Sequence, residues 1–223
     1  MADTIGGGIN EDGSVQNTLV IDEADAGKID VVGLENAETT EVVVNEVLDG
    51  LQLGLSGDNS VVIAGKKLTN TLISNEAPKG KTAEFVISNK KTNKLEFTTS
   101  GKGATDLSVA EGKFVKGSIT TSSAKASDSI SFASASKVNS SSVSTGRGPD
   151  TITFTGGITL KGKTTVESGK GKDVIEVGQE IGGKGKLVLS DFSKKDRLVV
   201  GDDTLKLADI KDGDAPAFIR LDA

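Results

Sequence analysis

The chain lacks cysteine, histidine, tryptophan and tyrosine, and only three of its 223 residues are proline. Without cysteine, no disulfide can stabilise the fold. Without histidine, the chain lacks the commonest general base and transition-metal ligand of proteins. These absences argue against most catalytic sites and favour a non-enzymatic protein.

Apolar side chains are also scarce, at 35% of residues, and aromatic side chains make up 3%. That is little for a globular core of this length, but it suits a narrow column lined by aliphatic side chains. The first residues have neither the basic region nor the apolar region of a secretory signal peptide, and no apolar run approaches membrane-spanning length. We therefore expect no membrane insertion.

A repeat of 22–23 residues runs through most of the chain. The segment Asp150-Thr-Ile-Thr-Phe154 is followed 23 residues later by Asp173-Val-Ile-Glu-Val177, and a further 23 residues later by Asp196-Arg-Leu-Val-Val200. A fixed period of this size is typical of a stacked solenoid. Related segments begin at residues 17, 40, 59, 83, 105, 128, 150, 173 and 196, which predicts about nine coils.

Each repeat contains several short strands separated by turns. Ile152 and Phe154 alternate with threonine and therefore face one side of a strand, before a turn at Gly156-Gly157. Three strands and three corners fit one period, which predicts an all-β fold, a parallel β-solenoid (β-helix) of about 22–23 residues per coil with terminal caps. The alternative is a β-sandwich, because turn-separated short strands give a similar pattern. A second apolar position recurs 14–16 residues after the start of a repeat, as at Leu55, Ile73, Phe97 and Ile119.

We divide the chain into three parts. Residues 1–16 are predicted to be an N-terminal lead-in or arm, and residues 17–200 the solenoid repeats, least regular over 17–60. Residues 201–223 are predicted to form a C-terminal hairpin and tail that cap the stack, because solenoid ends expose unpaired backbone. The hairpin is expected over 201–210, with its turn at Gly201-Asp202.

Charge is unevenly distributed along the sequence. Residues 1–60 carry 13 acidic side chains against Lys28 alone, whereas residues 61–145 carry 12 lysines against 6 acidic side chains. This asymmetry predicts either oriented electrostatic docking or an unevenly charged solvated surface. Nucleic-acid binding is disfavoured, because the net charge is −6 and no stacking aromatic residues lie among the lysines.

One short motif carries a chemical suggestion. Gly146-Arg-Gly148-Pro-Asp150 and Gly169-Lys-Gly171-Lys-Asp173 both have the pattern G-x-G-x-D followed one residue later by an apolar residue. Over about residues 101–200 the chain resembles the RTX calcium-binding repeats of secreted bacterial proteins. The resemblance implies that Asp150 and Asp173 bind Ca²⁺, with Gly146, Gly148, Gly169 and Gly171 turning the backbone. The alternative is purely structural: the glycines supply left-handed turns, and the aspartates cap them.

Three functions follow from these observations. The first is a non-enzymatic structural protein, a bacteriophage virion component such as a capsid decoration or cement protein, a knob or a fibre. Its partners would be other copies of itself or another structural protein, with no nucleic acid and no small-molecule substrate. The second is a secreted, calcium-dependent RTX-like surface or adhesive protein located extracellularly or at the cell surface. The third is a polysaccharide-active β-helix enzyme.

Overall fold

The computed structural model describes residues 5–9, 15–21, 30–31, 39–44, 47–56, 60–121, 125–132, 135 and 137–222. Nearly all of this part of the chain is strand, and parallel coils stack into a β-solenoid of about six turns. The predicted solenoid is confirmed, with three faces per coil. The number of turns is smaller than the predicted nine, because two of the early strands belong to a separate sheet.

The first face contains the strands at which the sequence repeat begins. Val61 pairs in register with Phe85, and the same parallel ladder continues through successive coils to Leu198. These inward residues are buried, while serine, threonine and charged residues alternate with them on the outer side, as β-branched and period-2 patterns favour. The strands of this face are the start of β7 (Ser60–Ala77), the start of β8 (Thr82–Gly101), β9 (Ala104–Val109), β12 (Ser129–Ser131), β15 (Thr151–Phe154), β18 (Val174–Val177) and β21 (Arg197–Val200).

The second face is formed by short strands that follow the first corner of each coil. β7 and β8 are long because each bends around the coil and contributes to all three faces. The other strands of this face are β5 (Val47–Asp49), β10 (Lys113–Val115), β13 (Lys137–Asn139), β16 (Thr159–Lys161) and β19 (Gly182–Gly183).

The third face closes each coil and returns the chain to the first face. Its ladder pairs Ile119 with Phe97 and Phe97 with Ile73, as the second apolar position predicts. Ile73 then pairs with Leu53, so the predicted equivalence with Leu55 is wrong by two residues, although both leucines are buried. Besides β7 and β8, this face contains β3 (Asp30–Val31), β6 (Gln52–Ser56), β11 (Ser118–Thr121), β14 (Ser142–Ser144), β17 (Lys163–Glu167), β20 (Lys186–Leu189) and β23 (Ile219–Leu221).

The core is a single column of inward side chains. Phe132 and Phe154 stack with ring centroids 4.9 Å apart and planes 4° apart, and Phe114 meets Phe132 edge-on at 5.4 Å. Because each coil contributes only a few apolar residues, a low overall apolar content is sufficient to fill the column.

The corner between the second and third faces repeats a left-handed backbone conformation. Glycine fills this position at Gly50 and Gly162, but Asn70, Lys94, Lys116 and Ser140 adopt φ of 48–55° at the equivalent places. Left-handed backbone costs an L-residue other than glycine about 1–2 kcal/mol. The corner therefore accepts strain in the middle coils.

The early part of the chain forms a separate three-stranded sheet. β2 (Val15–Ile21) pairs in parallel with β4 (Thr39–Val44), with Asn17 opposite Thr40, which are the first residues of two predicted repeats. β1 (Ile5–Ile9) adds to β2 in the antiparallel direction. The predicted arm over 1–16 therefore includes a strand, and its residues 1–4 and 10–14 lie outside the described part of the chain.

At the other end, β21 and β22 (Asp203–Leu205) pair antiparallel around the predicted turn at Gly201-Asp202. The prediction that the hairpin continues to residue 210 is wrong, because α1 (Leu207–Asp212) begins there. The Lys206 N–H donates to the carboxylate of Asp209 at 2.7 Å, and Gly213 ends the helix with φ of 96°. β23 then returns to pair with β20, and Ala223 lies outside the described residues.

Candidate functional site

Four aspartates occupy the start of the first face in successive coils. Asp128, Asp150, Asp173 and Asp196 each retain only 1% of their surface exposed. We call this row the aspartate ladder. The residues were expected at a turn, but they lie inside the stack, at the corner where the third face meets the first.

Each carboxylate of the aspartate ladder bonds to the coil before it. Oδ1 of Asp150 accepts the backbone N–H of Asp128 at 2.9 Å, and Oδ1 of Asp173 accepts that of Asp150 at 3.0 Å. The same bond joins Asp128 to the N–H of Thr105 and Asp196 to the N–H of Asp173. Backbone bonds run alongside, with the carbonyl of Asp128 accepting the N–H of Thr151. The ladder therefore ties neighbouring coils rather than capping its own turn.

The motif glycines allow the corner to pack closely. Gly148 has φ of 141°, and a Cβ at that position would overlap the carbonyl oxygen of Ala126 in the preceding coil. A Cβ on Gly171 would in turn overlap the carbonyl oxygen of Gly148. Gly146 and Gly169 lie beside a parallel bridge in which Arg147 is opposite Lys170. These glycines are required because the backbones of adjacent coils are nearly in contact.

Burial gives two ladder aspartates unusual acidity. Desolvation raises the pKa of Asp150 from 3.8 to about 6, and the negative charge of Asp128 raises it further, while the hydrogen bond from the Asp128 backbone acts in the opposite direction. Desolvation also raises the pKa of Asp173 to about 6, with the charges of Asp196 and Asp150 adding to the effect. In both residues Oδ2 is buried and has no hydrogen-bond partner among the described residues.

This arrangement does not fit Ca²⁺ well. The ion takes six to eight oxygen ligands, including carboxylates and backbone carbonyls. Here Oδ1 of Asp150 and Asp173 each accepts a backbone N–H, and the carbonyl of Gly146 accepts the N–H of Lys170 at 3.0 Å. Within the described residues no group of three or more acidic side chains is placed to hold a metal ion. The geometry instead favours the structural interpretation of the motif.

Asp191 extends the same chemistry and was not identified from the sequence as a bonding residue. Its two carboxylate oxygens accept the N–H groups of Ser168 and Gly169 at 2.8 Å and 2.7 Å. It stands one coil after Ser168, which follows Thr145 by 23 residues. Aligning the repeat at this second polar position would have found it.

A row of lysines on the second face was also missed. Lys67 pairs with Lys91, Lys91 with Lys113, and Lys113 with Lys137. We call these four residues the lysine ladder. The residue after each one points into the core, so the lysines are on the outer side of the face. Their spacings of 24, 22 and 24 were visible in the sequence, but we followed the apolar positions instead.

A lysine-lined groove lies at the corner between the third and first faces. Its volume is about 650 Å³, and its lining includes Lys79, Lys81, Lys102 and Lys125. The two-residue turn at 102–103 lies between longer connections before and after it, which leaves a depression on the outside of the stack. The basic middle of the sequence is therefore distributed over two separate surfaces.

No family model matches the chain, and no curated protein or solved structure is significantly similar to it. In the described parts of the chain, α1 and every other helical segment fall short of the length and apolar character needed to cross a membrane.

Proposed function

We propose that this chain is a non-enzymatic structural protein, a bacteriophage virion component such as a capsid decoration or cement protein, a knob or a fibre. The observation that carries the proposal is the continuity of the stack. Backbone ladders on three faces, the aspartate ladder and the phenylalanine column all run through the same consecutive coils.

The argument for a mechanical role starts from how a solenoid is stabilised. Its stability is approximately a sum over coils and over the interfaces between neighbouring coils. A charge-assisted hydrogen bond at each of four successive interfaces strengthens every one of them, including those where the core column is thin. A rod of this kind resists shear along its length, which is the demand placed on a part exposed at a particle surface.

The virion setting is supported by analogy of architecture and by charge. Stiff β-solenoids suit the external parts of phage particles, and this is an argument from the fold alone. The acidic residues 1–60 and the basic residues 61–145 also give the chain an electrostatic direction, which would orient it on a surface. The partners we propose are other copies of the chain or another structural protein.

Mass-spectrometric localisation tests the proposal. Purified virus particles, cell envelope and calcium-containing culture supernatant from the source would be compared for this chain. Stoichiometric enrichment in particles is the expected result. Absence from particles together with presence in the supernatant would overturn the virion proposal and support a secreted surface protein.

A further inference from the structure

The lysine ladder is electrostatically unfavourable as it stands. Parallel strands lie about 4.8 Å apart, so four lysines in register place like charges along roughly 14 Å of one face. Like charges directly opposite one another destabilise a sheet. None of the four lysines makes a side-chain hydrogen bond or ion pair with another described residue. The only acidic residue in the described strands of this face is Asp49, which accepts a hydrogen bond from Asn70.

The same face shows that lysine is not needed there for folding. In the next two coils the equivalent position is occupied by Thr159 and then by Gly182, and the parallel pairing continues through both. The outer side of the third face carries hydroxyls at matching positions, as in the pairing of Ser118 with Ser142. A neutral residue therefore meets the structural requirement, and the four consecutive lysines require another explanation.

Two further lysines lie beside the ladder at a costly backbone position. Lys94 and Lys116 each follow a ladder lysine by three residues and adopt φ of 55° and 52° at the corner where other coils use glycine, asparagine or serine. Both side chains are exposed. Charge is thus concentrated on the middle coils even where lysine strains the backbone. This second observation points to the same surface as the ladder does.

The shape of this surface indicates the class of partner. A straight row of cations along the rod axis complements a linear polymer that carries one anionic group on each successive unit. Single-stranded nucleic acid is held largely by stacking on aromatic side chains. Five of the phenylalanines are fully buried, Phe192 is 8% exposed, and Phe218 is half-buried beside the C-terminal cap, so the lysine ladder presents no stacking platform. An acidic polysaccharide requires only charge and spacing.

We infer that the lysine ladder, flanked by Lys94 and Lys116, binds an extended acidic polysaccharide with carboxylate or sulfate groups on successive sugars, laid along the rod axis. Each coil contributes a cation, and the polymer's anions neutralise the repulsion within the ladder. This binding function goes beyond the proposed structural role. It concerns the purified protein in solution, so its failure would leave the localisation result untouched.

The test is equilibrium binding of the full chain to polygalacturonate fragments, with one carboxylate per sugar, and to dextran sulfate at low ionic strength. We expect the wild type to bind both polymers and not neutral dextran. The K91Q/K113Q variant should bind about tenfold more weakly, because it removes the two central cations. The K91R/K113R variant should retain binding, and circular dichroism would confirm that each variant folds.

The matched control is K79Q/K102Q, which removes the same charge from the groove in the same coils. We expect this variant to bind like the wild type. Equal loss in the two glutamine variants would overturn the inference, because binding would then depend on general basic charge. Failure of the wild type to bind either polymer would overturn it, as would binding to single-stranded DNA or polyglutamate as tight as to the polysaccharides.

Discussion

Two rows of like charges follow the same period in this molecule and are treated in opposite ways. The aspartate ladder is 1% exposed, and each of its carboxylates accepts at least one backbone N–H from the preceding coil. The lysine ladder lies on the outside and has no partner among the described residues. A buried charge must be hydrogen-bonded to be tolerated, whereas an exposed charge is tolerated through hydration.

The contrast separates structural residues from interaction residues without any relative for comparison. Removing an aspartate should damage the stack, because it leaves a buried amide unsatisfied. Removing a lysine should relieve repulsion and improve the stack slightly. Stability and binding should therefore respond in opposite directions in the two ladders, and each of the following measurements can break that contrast.

The largest effect is expected from Asp150→Ala. The substitution removes the acceptor of the Asp128 N–H and should lower the free energy of unfolding by about 2 kcal/mol, a charge-assisted bond less the relief from removing a buried charge. Urea unfolding at pH 7 measures the change. Asp150→Asn keeps an oxygen at the same place and should lose less than half as much. An alanine variant as stable as the wild type would show that the ladder is not structural.

A change of pH should act on the same residues. The pKa values of Asp150 and Asp173 are about 6 in the folded protein, against an ordinary value of 3.8. Between these values the folded state binds more protons than the unfolded state, so stability falls as pH rises through about 6 and is regained as pH falls towards 4. From pH 5 to pH 7.5 we expect a loss of roughly 1–2 kcal/mol.

Urea unfolding at the two pH values checks this prediction, with Asp150→Asn/Asp173→Asn as the control. Asparagine does not titrate, so the double variant should lose most of the pH dependence over this interval. If the wild type is instead more stable at pH 7.5 than at pH 5, the two carboxylates are not desolvated as the fold implies.

The smallest effect is expected from the lysine ladder. At low ionic strength, K91Q/K113Q should raise the free energy of unfolding by about 0.5 kcal/mol, because two like-charge contacts are removed. Added salt should raise the wild type towards the variant, since exposed charges are screened. Thermal unfolding at two salt concentrations measures both effects. A destabilised variant would mean that these lysines support the fold.

Much of the architecture follows from the period of the sequence alone. The predicted equivalence of Ile152 with Ile175 matches the observed strand pairing residue for residue. This succeeds because inward positions must be apolar in every coil, so the core writes the register into the sequence. The prediction fails at Leu55, where a shorter repeat shifts the pairing by two residues and both candidate positions are apolar.

The candidate site was harder to predict, for physical reasons that differ between residues. The positions of the motif aspartates were found, but their burial was not, because a polar residue in a glycine-rich turn usually faces solvent. Their partners are backbone amides 22–23 residues away, which no local pattern reveals. The lysine ladder was missed because outward positions are free to vary, so a repeat of charge there stands out only after the coils are aligned.

The aspartate ladder also gives the rod a sense of time. Each aspartate accepts an N–H from the coil before it, and a ribosome releases the earlier coil first. Every newly made coil therefore holds an amide whose acceptor has yet to be synthesised. The series closes at Asp196, whose second oxygen accepts the N–H of Ser193 in its own turn. A chain halted between coils thus differs chemically from one that has passed Asp196, and the stack is completed in one direction only.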